Sequence, residues 1–253
     1  MHSYNLTTQS HIAHPFEQRY RDIFPMRTLG FLERIKDPDN AQYLGPVRNQ
    51  NIPSYGECAD ESGAGYMDWL CRKYRQEPFV GSSLFLYQAV RTFMHDLTVD
   101  SGSRLRAVQY ALQTVGTCDN SMDPDIHSDF ITRITPQMLK SAAQHRIQQG
   151  YWAASFEEIV NALMAGHVVQ IGVVLPQSFE HPLVSQTGIV PVPQANELIL
   201  GGHAMLCHRV LWAQRRIRTR NSWGNYTPLG GDVDLPWEYF RDPWFLSARV
   251  YTF

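Results

Sequence analysis

The sequence predicts an α+β protein, helices first and strands afterwards. Up to about residue 165, apolar residues recur at three- and four-residue spacings. Beyond that point come short Val- and Ile-rich runs cut by Pro and Gly, the first and strongest being His167 to Leu175. A chain of 253 residues with 43% hydrophobic content is long enough for one large domain or two smaller ones sharing an interface. Segregated helices and strands are the mark of an α+β layout.

Residues 1–46 are punctuated by Pro15, Pro25, Pro38 and Pro46, and only Thr28 to Ile35 is mildly amphipathic. They read as an N-terminal arm laid over the body, or a short pro-segment. The next stretch, from Val47 to Ala59, runs from the amide of Gln50 through a turn-forming loop with Pro53 and Gly56 to Cys58. A helix is predicted from Cys58 to about Tyr74. A second follows over Ser83 to Met94, capped by Ser82 or Ser83. In a third, Ser103 to Val115, Leu105, Val108, Ala111, Leu112 and Val115 share one face and Gly116 stops the helix. Cys118 to Thr135 is loop-like, and Pro136 to His145 reads as a short helix. Ser155 to Ala165 opens with a capping-box pattern, Ser155 and Glu158. Strands are predicted at His167 to Leu175, Gly188 to Val192, Ala204 to Trp212, Arg216 to Arg220 and Gly231 to Asp234.

Composition excludes several function classes. A formal charge of −2 gives no electrostatic case for nucleic acid or an anionic membrane. No basic patch followed by an apolar run opens the chain, and no apolar run is long enough to span a bilayer, so a cytoplasmic location is expected. The four cysteines, Cys58, Cys71, Cys118 and Cys207, are scattered without a Cys-x-x-Cys pair, which argues against zinc and against a disulfide framework. Cys71 and Cys207 read as packing residues; Cys118 ends a helix, where a thiol can be exposed, but nothing gives it a base. His145, His167, His181 and His208 read as surface or loop histidines with no metal-ligand spacing. Neither a metal nor a cofactor is expected. Arg215, Arg216, Arg218 and Arg220 alternate with smaller residues, as on a strand with a solvated basic face.

Chemistry enters at Cys58. A lone cysteine is usually a small core residue. At a helix N-terminus, however, unpaired N–H groups and the dipole favour a thiolate, and Gln50, folded back by the loop, can donate to an oxyanion beside the sulfur. Two later stretches strengthen this. Gly201-Gly202-His203-Ala204 places His203 at the entry to an apolar strand, and Arg220-Asn221-Ser222-Trp223-Gly224 places Asn221 at the end of the neighbouring one. Thiol, imidazole and amide make a nucleophilic set: His203 takes the Cys58 proton, and the Asn221 carbonyl orients the ring and fixes its tautomer. Trp223 would shield the His–Asn hydrogen bond from water.

These motifs resemble those of the papain-like cysteine peptidases, prokaryotic-type members included. His203 falls about 145 residues beyond Cys58, within the family's spacing of roughly 130–150, and Asn221 lies a little further on. Pro46-Val47-Arg48-Asn49-Gln50 is similar to the family's run into its oxyanion-hole glutamine, and Ser83 to Tyr87 and His145 to Ile147 are also similar to family segments. The resemblance runs from about Pro46 to the C-terminus. It implies Cys58 as nucleophile, His203 as general acid/base, Asn221 as orienter and Gln50 as oxyanion donor. It also implies a helical left domain (47–165), a β-barrel right domain (166–253) and a cleft between them.

The expected activity is that of a thiol-dependent endopeptidase acting on protein or peptide substrates, in a monomer. A papain-fold acyltransferase or amidase, or a catalytically weak binding module, is the alternative. The sequence departs from the family pattern in a longer Gln-to-Cys loop, in Ala59 where the family has a large side chain, in Tyr55 where it has a disulfide cysteine, and in Asp60 and Glu61. Acidic side chains this close to the sulfur disfavour a thiolate.

Overall fold

The structure, a computed structural model, describes residues 17–51, 55–96, 99–124 and 134–253. Pro53, residues 1–16 of the N-terminal arm and part of the Cys118 to Thr135 loop lie outside the described residues. The helices are α1 (Tyr20–Ile23), α2 (Leu29–Leu32), α3 (Cys58–Leu70), α4 (Ser83–Phe93), α5 (Leu105–Thr114), α6 (Pro136–Ala142), α7 (Phe156–Met164) and α8 (Pro182–Thr187). The strands are β1 (Gln149–Trp152), β2 (Val169–Pro176), β3 (Ile199–Leu211), β4 (Arg216–Arg220), β5 (Asp232–Pro236) and β6 (Phe245–Thr252).

The strands form one antiparallel sheet in the order β1-β6-β2-β3-β4-β5. The expected β-barrel is corrected by this order: the sheet is open, with β1 and β5 at its edges. Both edges are short, and neither can reach the other while β2 and β3 are covered by helices on both sides. Strand periodicity divides the core. Val169, Ile171, Val173 and Leu175 of β2 and Met205 and Cys207 of β3 join α7, Tyr20 and Leu32 in one cluster. Val174, Ala204 and Leu206 join α3, α4 and α5 in the other.

Helix α3 begins at Cys58, where the chain leaves the loop, and continues as a single π-turn over Cys71–Arg75. Its interior is small on the side facing α5: a Cβ on Gly63 would stand 2.5 Å from Val108 Cγ1. Its first turn is tied to the sheet through buried Gln170 of β2. The Gln170 amide donates to the Ala59 carbonyl (2.6 Å) and the Ser62 hydroxyl (2.8 Å), and its oxygen accepts from the Tyr251 hydroxyl of β6. The start of α3 is thereby fixed against β2 and β6. The loop before it is held by Asp100, which accepts from the Gly56 N–H (2.9 Å) and the Tyr87 hydroxyl (2.5 Å).

The described part of the N-terminal arm is bound to the body by polar anchors. Arg249, fully buried, pairs with Glu17 at 3.0 Å, Arg19 pairs with Glu158 at 2.6 Å, and the Asn40 amide donates to the carbonyls of Leu163, His167 and His208.

Several local expectations change. Gly188 to Val192 contributes only an isolated bridge from Ile189 to Asp234, because Pro191 and Pro193 supply no ladder donors. Strand β4 does alternate, but its arginines are not a solvated face. Arg218 forks onto Asp234 (2.8 and 3.0 Å), Arg220 pairs with Asp232, and Arg216 donates to the Val190 and Asp234 carbonyls. His208 is buried against Asp232 at 2.9 Å, His145 is buried against Phe79, and the Cys118 thiol is fully buried. All four cysteines are free thiols.

Candidate active site

Cys58 is the first residue of α3, following the N-cap Glu57. Strand β3 packs against α3, and the backbone N–H groups of Ala204 and Ala59 bear on the Cys58 sulfur. His203, one residue before Ala204, is buried on β3 opposite Val173. The first turn of the helix and the interior of β3 therefore meet. His203 is not at the strand entry as expected: β3 begins at Ile199, because Ile199, Gly201 and Gly202 already pair with β2.

The tautomer of His203 follows from its partners. Asn221 Oδ1 accepts the Ser222 N–H (2.8 Å), and Asn221 Nδ2 donates to the Tyr226 hydroxyl (2.8 Å). These two bonds fix which end of the amide is oxygen. That oxygen lies 2.7 Å from His203 Nε2, so Nε2 carries the proton and donates. Nδ1 is left as the nitrogen able to exchange a proton with a thiol. Trp223 lies against the ring, centroids 5.1 Å apart, with Phe179 at 5.4 Å from Trp223 behind it.

Gln50 arrives on a segment stitched to the Asn221 loop. Its N–H donates to the Ser222 carbonyl (2.8 Å), its Oε1 accepts from the Ser222 hydroxyl (2.5 Å), and the Gly224 N–H donates to the Arg48 carbonyl (2.8 Å). With Oε1 held, Nε2 is a buried donor with no partner among the described residues. A buried, oriented and unspent amide N–H is what an oxyanion requires and what a merely structural glutamine avoids.

The electrostatics oppose ionisation in this arrangement. Burial, first of all, pushes the Cys58 thiol up to about 12, against the Ala204 and Ala59 N–H groups, and the Asp60 and Glu57 carboxylates add to the rise. Asp60 and Glu57 are themselves fully buried, and Glu61 is reached by Arg48 at 3.5 Å. Arg48 is held mainly by Asp68 (2.7 Å) and the Gly81 carbonyl (2.9 Å), tying the Gln50 segment to the middle of α3. Sequence reasoning assigned no role to Ser222 or Tyr226, although both stand within five residues of Asn221. The signal was present as a hydroxyl beside each amide that has to be held. Among the described residues, the His/Cys/Asp/Glu cluster with metal-ligand geometry lies elsewhere.

No protein-family model matches the chain. An uncharacterized peptidase C1-like protein of Acanthamoeba polyphaga mimivirus is 26% identical over 182 residues, covering 68% of this chain and 58% of the viral protein. Among solved structures, xylellain, a cysteine protease from Xylella fastidiosa, superposes with a TM-score of 0.83 at 20% identity, covering 99% of this chain and 97% of that one. Digestive procathepsin L 3 of the Tenebrio molitor larval midgut gives 0.72 at 12% identity (97% and 77% covered). A procathepsin B from Trypanosoma congolense gives 0.67 at 12% (98% and 86%). Helices packed on an open antiparallel sheet thus belong to a shared architecture: the chain has the fold of the papain-like cysteine proteases.

Proposed function

We propose that the protein is a cysteine-type endopeptidase acting on protein or peptide substrates. The observation that carries this reading is the His203 Nε2 to Asn221 Oδ1 bond, which commits the ring to one tautomer and leaves Nδ1 for the thiol side. The matching fold and the unspent Gln50 donor support it. On this reading α3, α4 and α5 form one wall of the substrate cleft and the sheet, with β1 and α7 on its side, forms the other.

The sulfur of Cys58 gives its proton to His203 and attacks the peptide carbonyl carbon. The C=O π pair moves onto oxygen, where Gln50 Nε2–H and the Cys58 N–H stabilise it. His203 then returns the proton to the leaving amine as the C–N bond breaks, and water hydrolyses the thioester by the same route. The fully buried thiol fits a resting form, in which opening of the cleft admits water and substrate and relieves the desolvation that keeps the thiol neutral. The buried Glu57 and Asp60 favour the second reading, a catalytically weak binding module of the same fold.

The test is peptide hydrolysis by the purified protein and covalent labelling with an epoxide that traps papain-like enzymes. Label on Cys58, and loss of both hydrolysis and labelling in Cys58→Ala, is expected. Undiminished hydrolysis by Cys58→Ala would end the proposal, and labelling without any hydrolysis would favour the weak module.

A further inference from the structure

The far end of α3 brings together three side chains that the proposed reaction does not use. Cys71 opens the π-turn, and Glu77 follows that turn, its N–H donating back to the Cys71 carbonyl at 3.2 Å. His145 comes from the segment after α6. One ligand atom from each, the Cys71 sulfur, a Glu77 carboxylate oxygen and a His145 ring nitrogen, lie within 4.8 Å of one another. Cys71 and His145 are buried, and Glu77 is half-exposed.

The hydrogen bonds of His145 decide what the cluster lacks. Nδ1 lies 3.1 Å from the Ser141 carbonyl oxygen, which can only accept, so Nδ1 carries a proton. In the neutral ring Nε2 is then a lone pair, and it points at Glu77 Oε1, another lone pair, at 3.1 Å. Phe79 stacks on the ring face at 3.7 Å and prevents it from turning away. Two acceptors held face to face need a positive centre between them. The nearby arginines do not supply it: Arg72 donates to the Phe79 carbonyl and Arg75 to the Gln144 carbonyl, and Glu77 pairs with no arginine among the described residues.

We propose that Cys71, Glu77 and His145 bind one divalent transition-metal ion of the zinc class. Thiolate, imidazole and carboxylate are the donor types such ions take, and a backbone carbonyl behind Nδ1 is the usual support for a ligating histidine. Charge balances as well: one thiolate and one carboxylate neutralise a divalent ion, so the filled site carries no net charge into a largely buried position. On binding, the sulfur–proton bond breaks, the proton leaves to solvent, and sulfur, Nε2 and Oε1 each donate a pair to the ion. No electron is transferred. Ligand atoms on a tetrahedral ion stand roughly 3.3–3.8 Å apart, so spacings of up to 4.8 Å must contract by about 1–1.5 Å at most. The half-exposed Glu77 can make that movement, and its open side leaves the fourth position to solvent. The ion would join the end of α3 to the segment after α6, away from Cys58.

The experiment uses the full chain carrying Cys58→Ser, which silences the thiol of the candidate active site, titrated with Co2+ as a spectroscopic stand-in. A thiolate-to-cobalt charge-transfer band saturating at about one equivalent, and displaced by Zn2+, is expected. Adding Cys71→Ser should abolish the band. Glu77→Gln, at a half-exposed position that leaves the core intact, should weaken Co2+ affinity at least about 10-fold. Absence of a saturable band, persistence of the band in the Cys71→Ser protein, or unchanged affinity in Glu77→Gln would each overturn the assignment. In that case a proton, giving an imidazolium–carboxylate pair, occupies the position between Nε2 and Oε1.

Discussion

Replacing Gln50 by alanine tests the oxyanion side of the proposed mechanism. The substitution removes a buried amide whose Nε2 has no partner among the described residues and whose Oε1 is held by Ser222. The backbone bond from Gln50 N–H to the Ser222 carbonyl survives the change, so the segment keeps its place. The lost interaction is therefore one preorganised donor, with little loss of architecture. A donor of this kind contributes about 2.7–4 kcal/mol to the transition state, or roughly 10²–10³ in kcat. Because the oxyanion exists only on the way to the tetrahedral intermediate, kcat and kcat/KM should fall together while KM stays nearly constant. Gln50→Glu should fall at least as far, since a carboxylate cannot donate and repels the developing charge. The assay is initial-rate kinetics on a fluorogenic peptide, with thermal melting to confirm folding. A folded Gln50→Ala protein that loses less than about 10-fold in kcat, or loses activity through KM alone, would refute the assignment of Nε2 to the oxyanion.

Three further outcomes are expected. Tyr226→Phe deprives Asn221 Nδ2 of its acceptor while the Ser222 N–H still holds Oδ1, so kcat should drop about 5–10-fold, the worth of one net hydrogen bond, as read by steady-state kinetics. His167 is held down to about 4, chiefly by burial and then by Lys73, whereas the unfolded side chain titrates near 6.5. The unfolded state therefore gains a proton first as pH falls, and stability is lost between about 6.5 and about 4; urea unfolding across that range should show the loss, and His167→Gln should flatten it. Gly116 sits at φ +88°, and a Cβ there would stand 2.1 Å from the Ala142 carbonyl and 2.6 Å from that of His145. Both obstacles are backbone, so Gly116→Ala should cost about 3 kcal/mol or more by denaturant titration.

Local chemistry wrote the start of α3, the caps at Ser82 and Ser155, and the strand at Val169–Pro176 plainly into the sequence. Each depends on residues adjacent in the chain. Gln50, Cys58, His203 and Asn221 could be singled out because each stands in a motif of residues adjacent in the chain. Sheet closure was not legible. It depends on which edges remain free, and β1 and β6, strands of four and eight residues, carry too little pattern to be counted in advance. The arginines of β4 looked solvated because their partners, Asp232 and Asp234, come from a strand paired only in three dimensions. His145 and His208 were misplaced for the same reason. Alternation tells which way a side chain points but not what waits there.

Asn221 and Ser222 are neighbours, and between them they grip the two amide and imidazole groups on which the proposed chemistry turns. One peptide unit thus acts as a common tether. Any force that lifts the loop at Trp223 slackens both grips at once, so proton transfer and oxyanion support would fail or recover as a unit. Graded tuning of either alone has to come from farther out, through Tyr226 on one side or Arg48 on the other.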